Sequence, residues 1–292
     1  MTVRGLFVGL VTLDVVQLVE RLPSRDEKIR GLDDMLAAGG PATNAAVAFA
    51  HLGGEATLVT RAADGPVWEL MRADLEACGV RVVRAPSTRT PTVASILVTC
   101  STGERAVIST GDRGQRDAAP APYEPDVDPS SFDVVLIDGH EADLAKQLAM
   151  KANAAGVPVV LDGGSWKTTT PGLLPLVDAA VVSSAFKPPE GGSADDVFAT
   201  LRRSHYRAIT RGEDGVLAEL NGSRFEVPAE QAKVADTLGA GDFFHGAFAY
   251  HVAEEGLSDE TFGPALTRGA QVAAQSVASF GTRAWLTSPM QR

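Results

Sequence analysis

Two carboxylates bracket a run of small residues in Asp236-Thr237-Leu238-Gly239-Ala240-Gly241-Asp242, and the apolar residues 243–250 follow at once. A backbone turn built on glycine and alanine lets another molecule approach the main chain closely. The residues behind it have helical character, and a helix start exposes unpaired N–H groups and partial positive charge, which suits an anion. An acid at the mouth of such a site would repel a phosphate. Asp242 therefore points to proton removal from a hydroxyl lying beside the phosphate, the chemistry of phosphoryl transfer to an alcohol. A glycine turn followed by an early-helix acid gives the same residues for purely structural reasons, and short glycine motifs arise by chance. The helix tips the balance: between 240 and 252 apolar residues cover nearly every face, with Asp242, His245 and His251 the polar exceptions. Such a helix lies in a core, where an acid needs a reason.

The elements that must hold this loop follow from the hydrophobic pattern. Continuous apolar stretches at 6–11, 56–60, 134–138, 157–162, 179–183 and 207–210 predict buried strands. Helices are predicted over 41–52 (Gly39-Gly40 before it, Pro41 near its first turn), 65–78, 142–155, 195–203, 240–255 and 259–280. Hairpins are predicted at 92–109 around Cys100 to Glu104, and at 216–227 around Asn221-Gly222. Strands alternating with helices imply a mostly parallel sheet covered on both faces. Residues 14–18, 27–36 and 92–109 alternate more and are expected to form a small separate sheet. The proline-rich stretch 118–129 reads as a surface loop, and the chain carries no internal repeat.

Composition narrows the function. The 292 residues are 45% hydrophobic, enough for a full core, and the net charge of −11 argues against nucleic acid or an anionic membrane as partner. A bound nucleotide must then be met locally, by amides, a few basic side chains and a metal ion. Two cysteines, Cys78 and Cys100, suit reduced thiols in a cytoplasmic protein, and neither a signal peptide nor a membrane-length apolar run is present.

With these residues in view, the chain resembles the ribokinase-like (PfkB) carbohydrate kinases over nearly its full length. The D-T-x-G-A-G-D signature stands at 236–242, and Gly39-Gly40-Pro41-Ala42-Thr43-Asn44 resembles the N-terminal signature. Residues 9–15 and the hairpin at 92–109 look most like ketohexokinase and related bacterial sugar kinases. The resemblance implies a three-layer αβα sandwich with a β-sheet lid, one domain over 1–292 with lid segments near 12–36 and 92–112. It implies ATP as donor, Mg²⁺, a monovalent cation such as K⁺ in some relatives, a sugar's primary hydroxyl as acceptor and a homodimer paired through the lids.

Carried over by residue, the resemblance makes Asp242 the catalytic base and the amides of Gly239, Ala240 and Gly241 the anion hole. Asp14, at the end of the first strand, would grip sugar hydroxyls, with Gly40 and Asn44 as further sugar contacts. A hinge role for Asp14 and a helix-start hydrogen bond for Asn44 explain the same residues. Thr210, Gly212 and Gly215 match a nucleotide loop, although a strand-Gly-Gly-strand hairpin has the same pattern. Val277 and Gly281 fall where relatives shape the adenine slot, or simply cap a helix. Lys28, Arg30 and Arg113 could meet an anionic group on the sugar, or be solvated surface charge. His140 and His245 do not have metal-pair spacing; core or supporting roles suit them better.

Two departures stand out. Where many relatives carry N-x-x-E for organising Mg²⁺, this chain has Ser183-Ser184-Ala185-Phe186, and Pro41 replaces an Asn common in the ketohexokinase-like subgroup. Neither lid segment contains Phe, Tyr or Trp, so no aromatic face is on offer to stack a base. That favours a ketose or ribose-like sugar over a nucleoside. A nucleoside kinase and a sensor without turnover stay open as alternatives. A dehydrogenase does not fit, because 5–10 lacks the third glycine of the dinucleotide fingerprint.

Overall fold

The structure, a computed structural model, describes residues 2–88, 90–110 and 123–287. Thirteen strands form two sheets: β1 Arg4–Val8, β2 Thr12–Val19, β3 Asp33–Gly39, β4 Glu55–Ala62, β5 Val80–Pro86, β6 Thr92–Thr99, β7 Arg105–Ser109, β8 Val134–Ile137, β9 Val159–Gly163, β10 Ala179–Ser183, β11 Tyr206–Thr210, β12 Val216–Leu220 and β13 Ser223–Val227. The described helices are α1 Pro41–His51, α2 Pro66–Ala77, α3 Ala142–Ala155, α4 Thr170–Leu173, α5 Ala194–Thr200, α6 Ala240–Glu255, α7 Asp259–Ser276 and α8 Gly281–Ala284.

The large sheet runs β13-β12-β11-β10-β9-β8-β1-β4-β5, parallel except where β12 and β13 turn back as a hairpin. Its central strands are mostly apolar because both faces are buried. Phe7, Val134, Leu136, Val160 and Val181 pack beneath α1, α2, α6 and α7, while Leu6, Val8, Ile137, Leu161 and Val182 pack beneath α3 and α5. Successive residues thus serve opposite layers, as a period of two requires. This is the αβα sandwich. Strand order reverses around β1, between β8 and β4, and a cleft at the carboxyl ends of parallel strands is where such sheets take ligands.

The second sheet, β3-β2-β6-β7, is inserted at that same end: β2 and β3 leave from β1, and β6 and β7 leave after β5. Residues Met35, Val16, Ile96 and Val107 line up across all four strands. Val16 and Ile96 of that row pack with Ala94 and Val98 against Met35, Leu238 and Phe280. The opposite face carries Leu36, Val15, Ser95 and Ile108 in one row.

Several boundaries differ from expectation. The first strand stops at Val8, three residues early, because the turn after it is captured by an acid: Leu10 N–H donates to Asp138 Oδ2 at 2.9 Å. Asp14 accordingly lies in lid strand β2, not at the end of the first strand. The strand expected over 27–36 is Asp33–Gly39, fixed by pairing Thr12 with Gly39 and by burial of Ala37 and Ala38, while most of 25–32 is exposed. Strand β5 was not expected: its two arginines, Arg81 and Arg84, obscured a strand at the sheet edge. Helix α7 ends at Ser276, since the Val277 carbonyl turns to accept from Ala235 and Asp236. The loop at 118–129 lies partly outside the described residues.

Candidate active site

Helix α6 has no side-chain cap at its start. Gly239 takes the left-handed conformation there, with φ 74°, a geometry that strains residues bearing a Cβ. The first helical amides consequently have no side-chain cap. Ala240 N–H makes only a long contact of 3.4 Å to Thr237 O, so the turn leaves donor capacity for an anion. Asp236 fixes the turn from below: it is 2% exposed and accepts from Leu238 N–H at 2.8 Å and Gly281 N–H at 2.9 Å.

Asp242 sits in the first turn, partly accessible, and its Oδ2 accepts from Asn44 Nδ2 at 2.8 Å. The two residues are 198 apart in the chain, and close packing of α1 on α6 brings them together. A Cβ at Gly246 would stand 2.3 Å from Ala45 O, so glycine there lets the two backbones touch. Burial pushes the Asp242 carboxyl up to about 7, and the nearby Asp162 carboxylate adds to this. The Asn44 hydrogen bond, His245 and Arg105 pull it back. A carboxyl balanced near neutrality is suited to accepting a proton in the transition state. Asn44 Oδ1 is buried and has no hydrogen-bond partner among the described residues, an acceptor left for something else.

Asp14 joins this group through backbone. Its carboxylate lies directly over Gly39, where a Cβ would fall 2.0 Å from Oδ2, and it accepts from Thr12 Oγ1 at 2.6 Å. Burial raises the Asp14 carboxyl; the Thr12 hydrogen bond and the Arg283 charge oppose that. Gly40 follows with φ 107°, packed against Leu10 O, which also accepts from Thr43 Oγ1 at 2.8 Å. Asp14 thus packs on the chain that enters α1, and Asn44, one turn into that helix, reaches Asp242 on α6.

The pfkB family carbohydrate kinase pattern matches residues 5–288. The chain belongs to the PfkB family. It is similar to the ribokinase of Bacillus subtilis, 26% identical over 94% of this chain and 93% of the relative. It is 30% identical to the ATP-dependent ribose-1-phosphate kinase of Halopiger xanaduensis, over 84% of this chain and 83% of the relative. The structure of Arabidopsis thaliana ribokinase complexed with ribose and ATP superposes with a TM-score of 0.75, at 24% identity, covering 99% of this chain and 100% of that one.

Other PfkB positions are placed less centrally. Thr210, Gly212 and Gly215 form a compact turn at the carboxyl end of β11; Gly215 lies against Val227 O, and Arg211 N–H donates to Gly215 O at 2.8 Å. Val277 O accepts from the Ala235 and Asp236 amides, and Gly281 N–H donates to the Asp236 carboxylate, which places both residues next to the start of the 236–242 turn. Arg113 lies outside the described residues. Lys28 and Arg30 are exposed. Within Ser183 to Phe186, Phe186 is 1% exposed and meets Trp166 edge-to-face, Ser183 Oγ accepts from Ala185 N–H, and Ser184 and Ala185 are exposed.

Sequence reading overlooked three groups. Asp138 and Asp162 close the apolar strands β8 and β9 and are almost fully buried. Asp138 accepts from Leu10, Ala42 and His140 amides, tying β1, α1 and α3 together. An acid ending a buried strand was the available signal. Arg105 on β7 reaches Thr237, donating to Oγ1 at 2.7 Å and to the carbonyl at 3.3 Å, so the lid touches the anion turn. One exposed arginine in a hairpin gives no sequence signal of that contact.

Proposed function

We propose that this protein phosphorylates a primary hydroxyl of a ribose-like furanose or a ketose, with ATP as donor. Asp242 is the general base, and the amides of Gly239, Ala240 and Gly241 receive the charge that builds on the transferred phosphoryl group. Asp14, Gly40 and the free oxygen of Asn44 orient the sugar hydroxyls. Thr210, Gly212 and Gly215 line the nucleotide side, with Val277 and Gly281 near the base. The observation that carries this reading is the Asn44–Asp242 bond at the open head of α6, where a carboxyl near neutrality adjoins unpaired amides.

Mg²⁺ accompanies ATP in this reading. Among the described residues no cluster of His, Cys, Asp and Glu could hold a metal ion, so the nucleotide's own phosphates and water would supply most of its ligands. No step is assigned to Mg²⁺ or K⁺. Asp14 and Asn44 are polar and the lid segments carry no aromatic ring, which favours a sugar over a nucleoside.

The unit acts over its whole length, 1–292, in the cytoplasm, as a homodimer paired through the outer lid face. There Leu36 is 57% and Ile108 72% exposed, an apolar row that water does not favour. Among the described residues no helix is long and apolar enough to cross a membrane.

ADP release with ATP and Mg²⁺ against a panel of ribose, deoxyribose, fructose and adenosine tests the reading. Turnover on a pentose or ketose with none on adenosine is the expected result. Turnover only on adenosine makes it a nucleoside kinase. A second reading, a sensor without turnover, rests on Ser183 to Phe186 supplying neither amide nor carboxylate side chain for Mg²⁺; tight calorimetric binding of ribose with no ADP release would select it.

A further inference from the structure

Beneath the anion turn lies a buried histidine whose surroundings accept hydrogen bonds on every side. His245, 2% exposed, is one helical turn below Gly241. Its Nδ1 is 2.7 Å from Gly241 O and 3.3 Å from Asp162 Oδ2, and its Nε2 is 3.0 Å from Val181 O. A neutral imidazole has a single N–H, so one ring lone pair would face an acceptor oxygen at hydrogen-bonding distance. Only the doubly protonated ring donates from both nitrogens. Asp162 supplies the counter-charge: it is 3% exposed, and its Oδ2 has no conventional hydrogen-bond partner among the described residues, leaving the ring's Nδ1 as its polar neighbour. A protonated Asp162 donating to a neutral ring would leave the 2.7 Å Gly241 contact repulsive.

We propose, resting on the kinase reading above, that His245 is a positioning residue that carries both ring protons, pins the Gly241 carbonyl, and keeps Asp242 available as a base. Two carboxylates crowd this spot, Asp242 on α6 and Asp162 on β9; burial raises both carboxyls, and the Asp162 charge raises Asp242 further. Asp138 on β8 adds a third negative group, while Lys167, His140 and the lid's Arg105 offer positive charge nearer the cleft mouth. His245 is the cation inside the core. Clamping Gly241 from below also holds the first-turn amides in register, because Gly241 O is tied to β10 through the ring.

The wild-type protein provides the first test. With ring-labelled histidine, the His245 nitrogen and carbon shifts at pH 7.5 are expected to be those of an imidazolium; a neutral tautomer overturns the proposal. This readout needs no substrate. The second test is His245→Asn, assayed with ATP, Mg²⁺ and the sugar that the wild type turns over best. The acid limb of its kcat/KM profile should move up by about one pH unit, giving roughly tenfold lower kcat/KM on that limb and a smaller deficit at pH 9. A loss equal at every pH marks a merely structural plug and overturns the proposal. If the wild type phosphorylates no sugar, the kinase reading fails by itself, and the role of His245 toward Asp242 falls with it whatever the ring spectrum shows.

Discussion

The large sheet and the lid sheet answer the same hydrophobic requirement differently. In the large sheet both faces are covered by helices, so its central strands are mostly apolar, and their pairing is parallel. The lid has one face on the body, through Val16 and Ile96 against Leu238 and Phe280, and the other bare. The body holds most of the buried core together with the 236–242 turn. The lid contributes Asp14, packed over Gly39, and Arg105, bonded to Thr237. The chemistry proposed above lies where the two meet.

Predictions that probe this division can be ranked by size. Asp242→Asn, in the body, should lower turnover by ~10²–10⁴-fold while ATP still binds, read by ADP release and calorimetry. Turnover near wild type would remove the base from the scheme. Phe248→Ala, at 0% exposure on the buried face of α6, should cost about 3–5 kcal/mol in denaturant unfolding. Ile96→Ala in the lid core should instead raise the sugar KM and speed amide exchange in β2 and β6, with a much smaller change in global unfolding. Equal effects of the two on global stability would erase the distinction.

The pH dependence separates catalysis from stability at one residue. Asp242 must be ionised to act, so kcat/KM should rise as pH increases through about 7. For stability the sign is opposite. The folded carboxyl holds its proton more tightly than the unfolded one, so folding stability is lost as pH rises from about 4 to 7. Asp242→Asn should then stabilise the protein at pH 8, by on the order of 4 kcal/mol at most, and bring no gain at pH 4. Thermal melts at both values check this; a variant no more stable at pH 8 contradicts the carboxyl's placement.

Smaller effects fall on the lid. Arg105→Ala removes the bond to Thr237 and should cost several-fold in kcat/KM, about 1 kcal/mol, without a change in melting temperature. Ile108→Asp, on the outer face, should turn a dimer into a monomer by light scattering and leave the thermal melt of the body nearly unmoved. A monomeric wild type would refute the pairing.

The legibility of the site follows the same division. Asp242, the glycines before it and the α6 span were readable because each rests on local chemistry: a left-handed glycine, a helix head, an apolar helix. The boundaries of α3, β10 and β12 were readable for the same reason. The lid register was not, since the strand expected over 27–36 is fixed by the pairing of Gly39 with Thr12 rather than by its own residues. Strand β5 escaped because an edge strand need not be apolar on both faces.

By itself the sequence determined the alternating parallel architecture, the glycine turn at 239–241 and the acid in the first turn of α6, because hydrophobic period, turn chemistry and helix starts are properties of neighbouring residues. Only the tertiary structure decided that Asn44 would hold Asp242, that Asp162 and His245 would pair beneath it, and that Arg105 would reach Thr237. Those contacts join residues 83, 132 and 198 positions apart. No local preference encodes such meetings; they come from how α1 packs on α6 and how the lid folds over both.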